Sequence, residues 1–186
     1  MLSFTEENYL KAIYHLADGG TKAVLTNEIA DSMNTKAASV TDMIKKLSTK
    51  NFISYEKYYG VKITKQGKIE ALTIIRKHRL WETFLVQKLQ FNWDEVHEIA
   101  EQLEHIQSPL LIDKLDEFLN YPKSDPHGEP IPDRNGKVQV QAQGCLHDQT
   151  LGYKGNIVAV KDSDSNLLKY LNKIGATPGK KIEVVG

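Results

Sequence analysis

Residues 26–64, TNEIADSMNTKAASVTDMIKKLSTKNFISYEKYYGVKIT, contain two hydrophobic periods in succession, and their order decides the fold. Up to Leu47 the apolar residues recur every three or four positions. Ile29, Ala30 and Met33 mark a short helix over 26–33 with Thr26 as its cap, and Val40, Met43, Ile44 and Leu47 mark another over about 36–49. Asn34-Thr35 makes the turn between them. Beyond Asn51 the period drops to two, in FISYEK and VKIT, which predicts a β-hairpin with its tip near Gly60. Upstream, TEENYLKAIYHLA (5–17) places Tyr9, Leu10, Ile13, Tyr14 and Leu16 at helical spacing behind a capping Ser/Thr start, and Gly19-Gly20 ends it. Helix, helix, tight turn, helix and hairpin form the winged helix-turn-helix, whose third helix enters the major groove of DNA.

The charge distribution agrees with that placement. The formal net charge of the 186 residues is zero, yet residues 1–80 carry a balance of +5, 81–133 of −9 and 134–186 of +4. Within 36–79 there are 11 basic residues against 3 acidic ones, on the third helix, the wing and just beyond. A basic stretch there suits a polyanion. Ser39, Thr41 and Asp42, on the outward face of the third helix, are candidates to reach base edges; Lys36, Lys45, Lys46 and Lys57 are candidates to meet phosphates.

From Thr64 a long helix is predicted to about Leu89, a second over 93–106, and a third after Ser108-Pro109 to about Leu119. PKSDPHGEPIPDRNG (122–136), with four prolines and two glycines, excludes regular structure and reads as a linker. VQVQAQ, NIVAVK and KIEVV read as strands, with a short helix around 164–173. The fold expected is therefore mainly α: a winged helix-turn-helix over 1–63, a helical domain over 64–121, a Pro-rich linker over 122–137 and a small β module over 138–186. Three strands cannot close a barrel, so a truncated module is one reading. Cys145, the single cysteine, excludes an intrachain disulfide and a thiolate zinc site, and is expected to be a buried small residue. No apolar run reaches membrane-spanning length and no leader pattern opens the chain, which predicts a cytoplasmic protein without a membrane partner.

The acidic middle holds the chemistry. Glu101, Glu104 and His105 stand at i, i+3 and i+4, with His97 one turn earlier, and His78 and Glu82 are four apart on the preceding helix. Two helices that each offer imidazole and carboxylate suit Mn, Fe, Co, Ni or Zn, and the carboxylate share leans toward Mn or Fe(II). Taken pair by pair, the same residues also fit solvent-facing positions of amphipathic helices.

ENYLKAIYHL, IADSMNTKAASVTDMIKKL, ITKQGK leading into RKHRLWETFL, VHEIAEQLEHI and PHGEPIP together resemble the metal-dependent repressors of the diphtheria toxin repressor and manganese transport regulator type, over almost the whole chain. The resemblance implies a helical metal-binding and dimerisation domain, an SH3-like C-terminal module, a homodimer and a pseudo-palindromic double-stranded operator. It makes Glu101, Glu104 and His105 ligands of an effector site and His78, Glu82 and His97 those of an ancillary site. Glu101 stands where iron-type members have Cys and manganese-type members Glu, which favours Mn(II) over Fe(II). Asn8 occupies the place of an Asp or Met ligand, and Lys11 that of a second carboxylate. Asp162 and Asp164 are lower-ranked ligands from the module, and His127 and His147 are read as incidental. Two rival functions remain at this point: a helical carboxylate-histidine metalloenzyme, and a DNA-binding regulator not activated by metal.

Overall fold

The computed structural model describes residues 2–139, 144–161 and 164–185. Seven helices run in the order α1 (Phe4–Leu16), α2 (Thr26–Ser32), α3 (Ala37–Thr49), α4 (Lys65–Leu89), α5 (His97–Leu103), α6 (Pro109–Phe118) and α7 (Ser165–Lys173) among the described residues. Two hairpins accompany them, β1 (Ile53–Glu56) with β2 (Gly60–Ile63), and β3 (Lys154–Asn156) with β4 (Lys181–Glu183). The chain divides into two compact units, 1–75 with 134–136, and 76–133 with 137–186.

The first unit is the winged helix. Ser3 and Glu6 close a capping box on α1: Glu6 N donates to the Ser3 hydroxyl at 3.3 Å, and Ser3 N donates to the Glu6 carboxylate at 2.7 Å. On α2 the cap falls on Leu25 rather than Thr26, because Glu28 reaches back to accept from Leu25 N at 2.6 Å. Leu10, Ile13, Ile29, Val40, Leu47 and Val61 are all but sealed from solvent in one core, each burial contributing about 1.5–3 kcal/mol. The wing pairs Ile53 with Ile63 and Glu56 with Gly60. Val24 adds a bridge to Val61, with amide-to-carbonyl distances of 2.9 and 2.8 Å. Gly60 has φ +95, and a Cβ there would strike the carbonyl of Val24, so this approach of wing to core needs glycine.

In the second unit α5 is shorter than the periodicity predicts, 97–103 instead of 93–106. Asn92 N and its side-chain amide both donate to Glu95, which holds 92–95 in a turn that buries Trp93. Segment 122–133 is irregular, as its prolines require, but it packs on α4 instead of hanging free. Arg76 donates to Pro132 O at 3.0 Å and to Asp116 at 2.8 Å, and Ile131 joins Leu80, Ile112, Leu115 and Leu119 in an apolar cluster. Of the module's predicted strands, KIEVV supplies Lys181–Glu183 to β4, NIVAVK supplies only its first residue, Asn156, to β3, and VQVQAQ lies largely outside the described residues. Cys145 is exposed, not buried, at the start of a single turn of tight helix over 146–148.

Candidate metal centre

On α4, RKHRLWET (76–83) is charged, yet Arg76, Lys77, His78, Arg79, Glu82 and Thr83 are all buried. Ionised groups leave water only when they are paired or ligated, so this helix stretch marks a site before any distance is measured. Glu82, 2% exposed, is its centre. Its Oε1 lies 3.0 Å from His78 Nε2 and 3.4 Å from His97 Nδ1, and its Oε2 lies 3.5 Å from His127 Nδ1. Burial pushes this carboxyl up, but hydrogen bonds from His127, His78 and His97 outweigh it and hold the group far below the ordinary carboxylate range.

The 122–133 segment supplies the rest. Asp125 Oδ1 accepts from the amides of His127 and Glu129 at 2.8 and 3.0 Å, which folds DPHGE into a loop facing Glu82. His127 Nε2 lies 2.8 Å from the carbonyl of Trp93, which can only accept, so Nε2 carries a proton and Nδ1 is the ring nitrogen turned to Glu82 and Asp125. Trp93 stacks on the same ring, 5.7 Å between centroids and 23° apart. Burial, together with the charge of Glu82, pushes the Asp125 carboxyl up to about 6. Among the described residues, two groups bring three ligand atoms within 4.8 Å of one another: His78, Glu82 and His97, and Glu82, Asp125 and His127.

The three ancillary candidates thus come together as expected, with the His78 and His97 rings 4.9 Å apart. The effector candidates are placed differently. Glu104 is fully buried and 8% of His105 is exposed, but the Glu104 carboxylate is turned to His78 Nδ1 at 2.7 Å. Glu101 is half exposed, 3.7 Å from His97 Nε2. Among the described residues, Glu101, Glu104 and His105 do not converge as one trio. Asn8 is half-buried on α1 of the first unit. Asp164 caps α7 by accepting from Leu167 N, and Asp162 lies outside the described residues. His127, read from the sequence as incidental, stands with Asp125 against Glu82, and Asp125 is a residue that the sequence reading does not single out. An acid and an imidazole two residues apart before glycine were visible, but the prolines around them made the stretch read as a spacer.

The DNA-facing candidates stand as the pattern places them. Lys36, Ser39, Thr41, Asp42, Lys45, Lys46 and Lys57 are all exposed, with Lys45 held 3.3 Å from Asp42 and the Lys57 ammonium 5.0 Å over the Tyr58 ring.

Residues 1–61 match the N-terminal DNA binding domain of the iron dependent repressors, 64–133 their metal binding and dimerisation domain, and 145–186 the FeoA domain. A structure described as a manganese-dependent transcriptional repressor complex with manganese superposes with a TM-score of 0.88 at 33% identity, over 97% of this chain and 83% of that one. The chain belongs to the iron-dependent repressor family. The repressor ScaR with bound Zn2+ follows at TM-score 0.82 and 35% identity, over 97% and 84%. An uncharacterized HTH-type transcriptional regulator of Methanocaldococcus jannaschii is 34% identical over 118 residues, 63% of this chain and 94% of that protein. The iron-dependent repressor IdeR of Mycobacterium tuberculosis is 31% identical over 128 residues, 69% of this chain and 55% of its own length. This member of the family is a DNA-binding transcription regulator with a dimerisation domain, not an enzyme, and no described helix is long and apolar enough to cross a membrane.

Proposed function

We propose that the chain is a repressor switched on by Mn(II) in preference to Fe(II), binding a pseudo-palindromic operator as a homodimer. The observation that carries the metal reading is Glu82, a buried carboxylate met by three imidazoles, one of which has its Nδ1 aimed inward by the bond of its Nε2 to the Trp93 carbonyl. Carboxylates and imidazoles without a thiolate suit Mn(II) and Fe(II), and the all-oxygen contribution of Glu82, Asp125 and Glu104 favours the harder Mn(II). Glu82, Asp125 and His127, with His78 and His97 beside them, hold one cation; Glu101, Glu104, His105 and Asn8 are the ligands proposed for the effector cation. A divalent cation there supplies positive charge that rewards one arrangement of the DNA-binding units over others, and only such differential affinity shifts the equilibrium. The apolar face of Trp81, Phe84, Leu111 and Phe118, whose Phe118 is 58% exposed, is the surface proposed for the homodimer. Titrating the chain with Mn(II) and with Fe(II) while following operator binding by anisotropy tests the function. Equal DNA affinity with and without metal would leave the metal-independent regulator standing.

Asn8→Asp restores an anionic ligand, and hard cations respond to carboxylate count, so the Mn(II) midpoint for DNA binding is expected to fall roughly tenfold. Identical midpoints would show that Asn8 is no ligand. Lys46→Ala on α3 should weaken binding to operator and random duplex alike and lower the salt slope by about one. Lost discrimination at constant overall affinity would instead put Lys46 on a base edge.

A further inference from the structure

The tip of the wing carries aromatic side chains that the domain's own packing does not use. Tyr58 is 85% exposed and Tyr59 68%, at the end of the hairpin whose strands pair as far as Glu56 with Gly60. Tyr58 has φ +72, in the left-handed region that a bulky side chain rarely adopts, and its ring stays in solvent. Tyr59 N closes the turn by donating to Glu56 O at 3.1 Å, and the Lys57 ammonium lies 5.0 Å over the Tyr58 ring. Glu56 offsets Lys57 in formal charge, so the tip is an aromatic feature more than a charged one.

The root of the wing, in contrast, is fixed to α3. Phe52 N donates to Leu47 O at 3.0 Å, and the Thr64 hydroxyl, at the far end of the hairpin, is shared between Asn51 O at 2.7 Å and Phe52 O at 3.0 Å. Gly67 lies so close to this junction that a Cβ there would overlap the Phe52 carbonyl. With the Val24 bridge to β2, these bonds give the hairpin one direction relative to α3. A tip held rigidly beside a helix that fills the major groove meets the duplex one backbone crossing away, at the neighbouring minor groove. That groove is about 6 Å wide and narrows further in A·T-rich tracts. A phenol ring enters it edge-on between the sugar walls, and its hydroxyl can donate to adenine N3 or thymine O2, whereas the 2-amino group of guanine stands in the way.

We infer that Tyr58, with Tyr59 beside it, reads the minor groove of the base pairs that flank the sequence contacted by α3, and makes the chain prefer A·T flanks. This rests on the reading of the chain as an operator-binding repressor and deepens it, by naming a specificity residue outside the major groove. The left-handed backbone at Tyr58 aims the ring outward from the turn, and Lys57 above it meets the adjoining phosphate.

The test uses the full chain with saturating Mn(II) and a duplex that this chain recovers from a random pool, whose flanking pairs are then set to A·T, G·C or inosine·C. Inosine·C keeps the major-groove acceptors of G·C and lacks the 2-amino group, so it resembles A·T in the minor groove alone. The unaltered chain is expected to bind the A·T and inosine·C flanks about tenfold more tightly than the G·C flanks. In Tyr58→Gly that ratio should fall close to one while affinity for the G·C-flanked duplex stays as it was, because glycine suits φ +72 and the turn is kept. Equal affinity of the unaltered chain for all three flanks, or a preference that survives in Tyr58→Gly, would overturn the wing reading and leave the repressor intact. Inosine·C flanks that behave as G·C would do the same, since they would put the readout in the major groove. A Tyr58→Gly chain that keeps the flank preference but sediments differently would make the tip a contact between protein chains. A chain that recovers no duplex from the pool would overturn the repressor reading and the wing reading together.

Discussion

Glu104→Ala and His105→Ala are each expected to lower Mn(II)-activated DNA binding by about 10–100-fold while metal-free binding stays as it was, and His15→Ala is expected to change neither. The expectation follows from burial as much as from the family pattern. Glu104 has no exposed surface and 8% of His105 is exposed, at the end of a seven-residue helix that gives no packing reason for a carboxylate or an imidazole there. The Glu104 carboxylate engages His78 Nδ1 at 2.7 Å, and His78 Nε2 engages Glu82 at 3.0 Å, so one imidazole joins a proposed effector ligand to the centre of the other cluster. His15 is exposed on α1 and belongs to neither. Because removing Glu104 also strips His78 of a buried partner, Glu104→Gln is the control: it keeps the shape and removes the charge. If both alanine variants respond to Mn(II) with the midpoint of the unaltered chain, the effector assignment is wrong.

The winged helix was legible because its information is periodic. Val40, Met43, Ile44 and Leu47 fall on one face at helical spacing, and all four are buried on α3. The metal centre was legible only in part, for a different reason. His78 with Glu82, and His97 with Glu101, are pairs four apart on helices, where spacing in sequence is spacing in space. Asp125 and His127 reach Glu82 from more than forty residues away, and no local period encodes such a contact. Their own segment is shaped by Asp125 bonding the amides of His127 and Glu129, a pattern that any Asx turn in a free loop would share. What distinguishes it is Arg79 behind, whose Nε sits 3.4 Å from Asp125 Oδ2, and the module in front, and both are tertiary. The strand expected over 156–161 fails at the same place: Val160 gives its amide to His127 O instead of to a neighbouring strand. Glu104 shows the limit in the other direction, since helical spacing put it with Glu101 and His105, but α5 stops at Leu103 and the carboxylate turns to α4.

The stability of the metal-free chain is expected to fall as pH rises from about 5 to about 8, and Mn(II) is expected to reverse that trend. Burial and the charge of Glu82 push the Asp125 carboxyl from its ordinary 3.8 up to about 6, so the folded chain holds this proton more tightly than the unfolded one. Its contribution is complete where the group is protonated and is lost as pH rises toward about 6, amounting to about 3 kcal/mol at 1.36 kcal/mol per tenfold. His127 acts in the same sense. Burial works against its charged form, but Glu82 outweighs burial and raises it above 6.5, so its stabilisation is complete below that value and disappears as pH passes the raised one. Glu82 has the opposite sign, but its contribution is already complete above 4.5 and stays constant across the window. Ligands must be free of protons to bind a cation, so added Mn(II) should stabilise little near pH 5 and by about 2.7 kcal/mol near pH 8 at a hundredfold excess over its dissociation constant. Urea unfolding at both pH values, in chelator and in Mn(II), measures all four stabilities. Asp125→Asn should flatten the metal-free slope below about pH 6 and leave the His127 part above it, because the amide keeps an oxygen for the loop amides and has no proton to lose. A metal-free stability that is level or rising over this window, or a slope below about pH 6 that is as steep in Asp125→Asn as in the unaltered chain, would mean that the Asp125 carboxyl is not the group that the cation displaces a proton from.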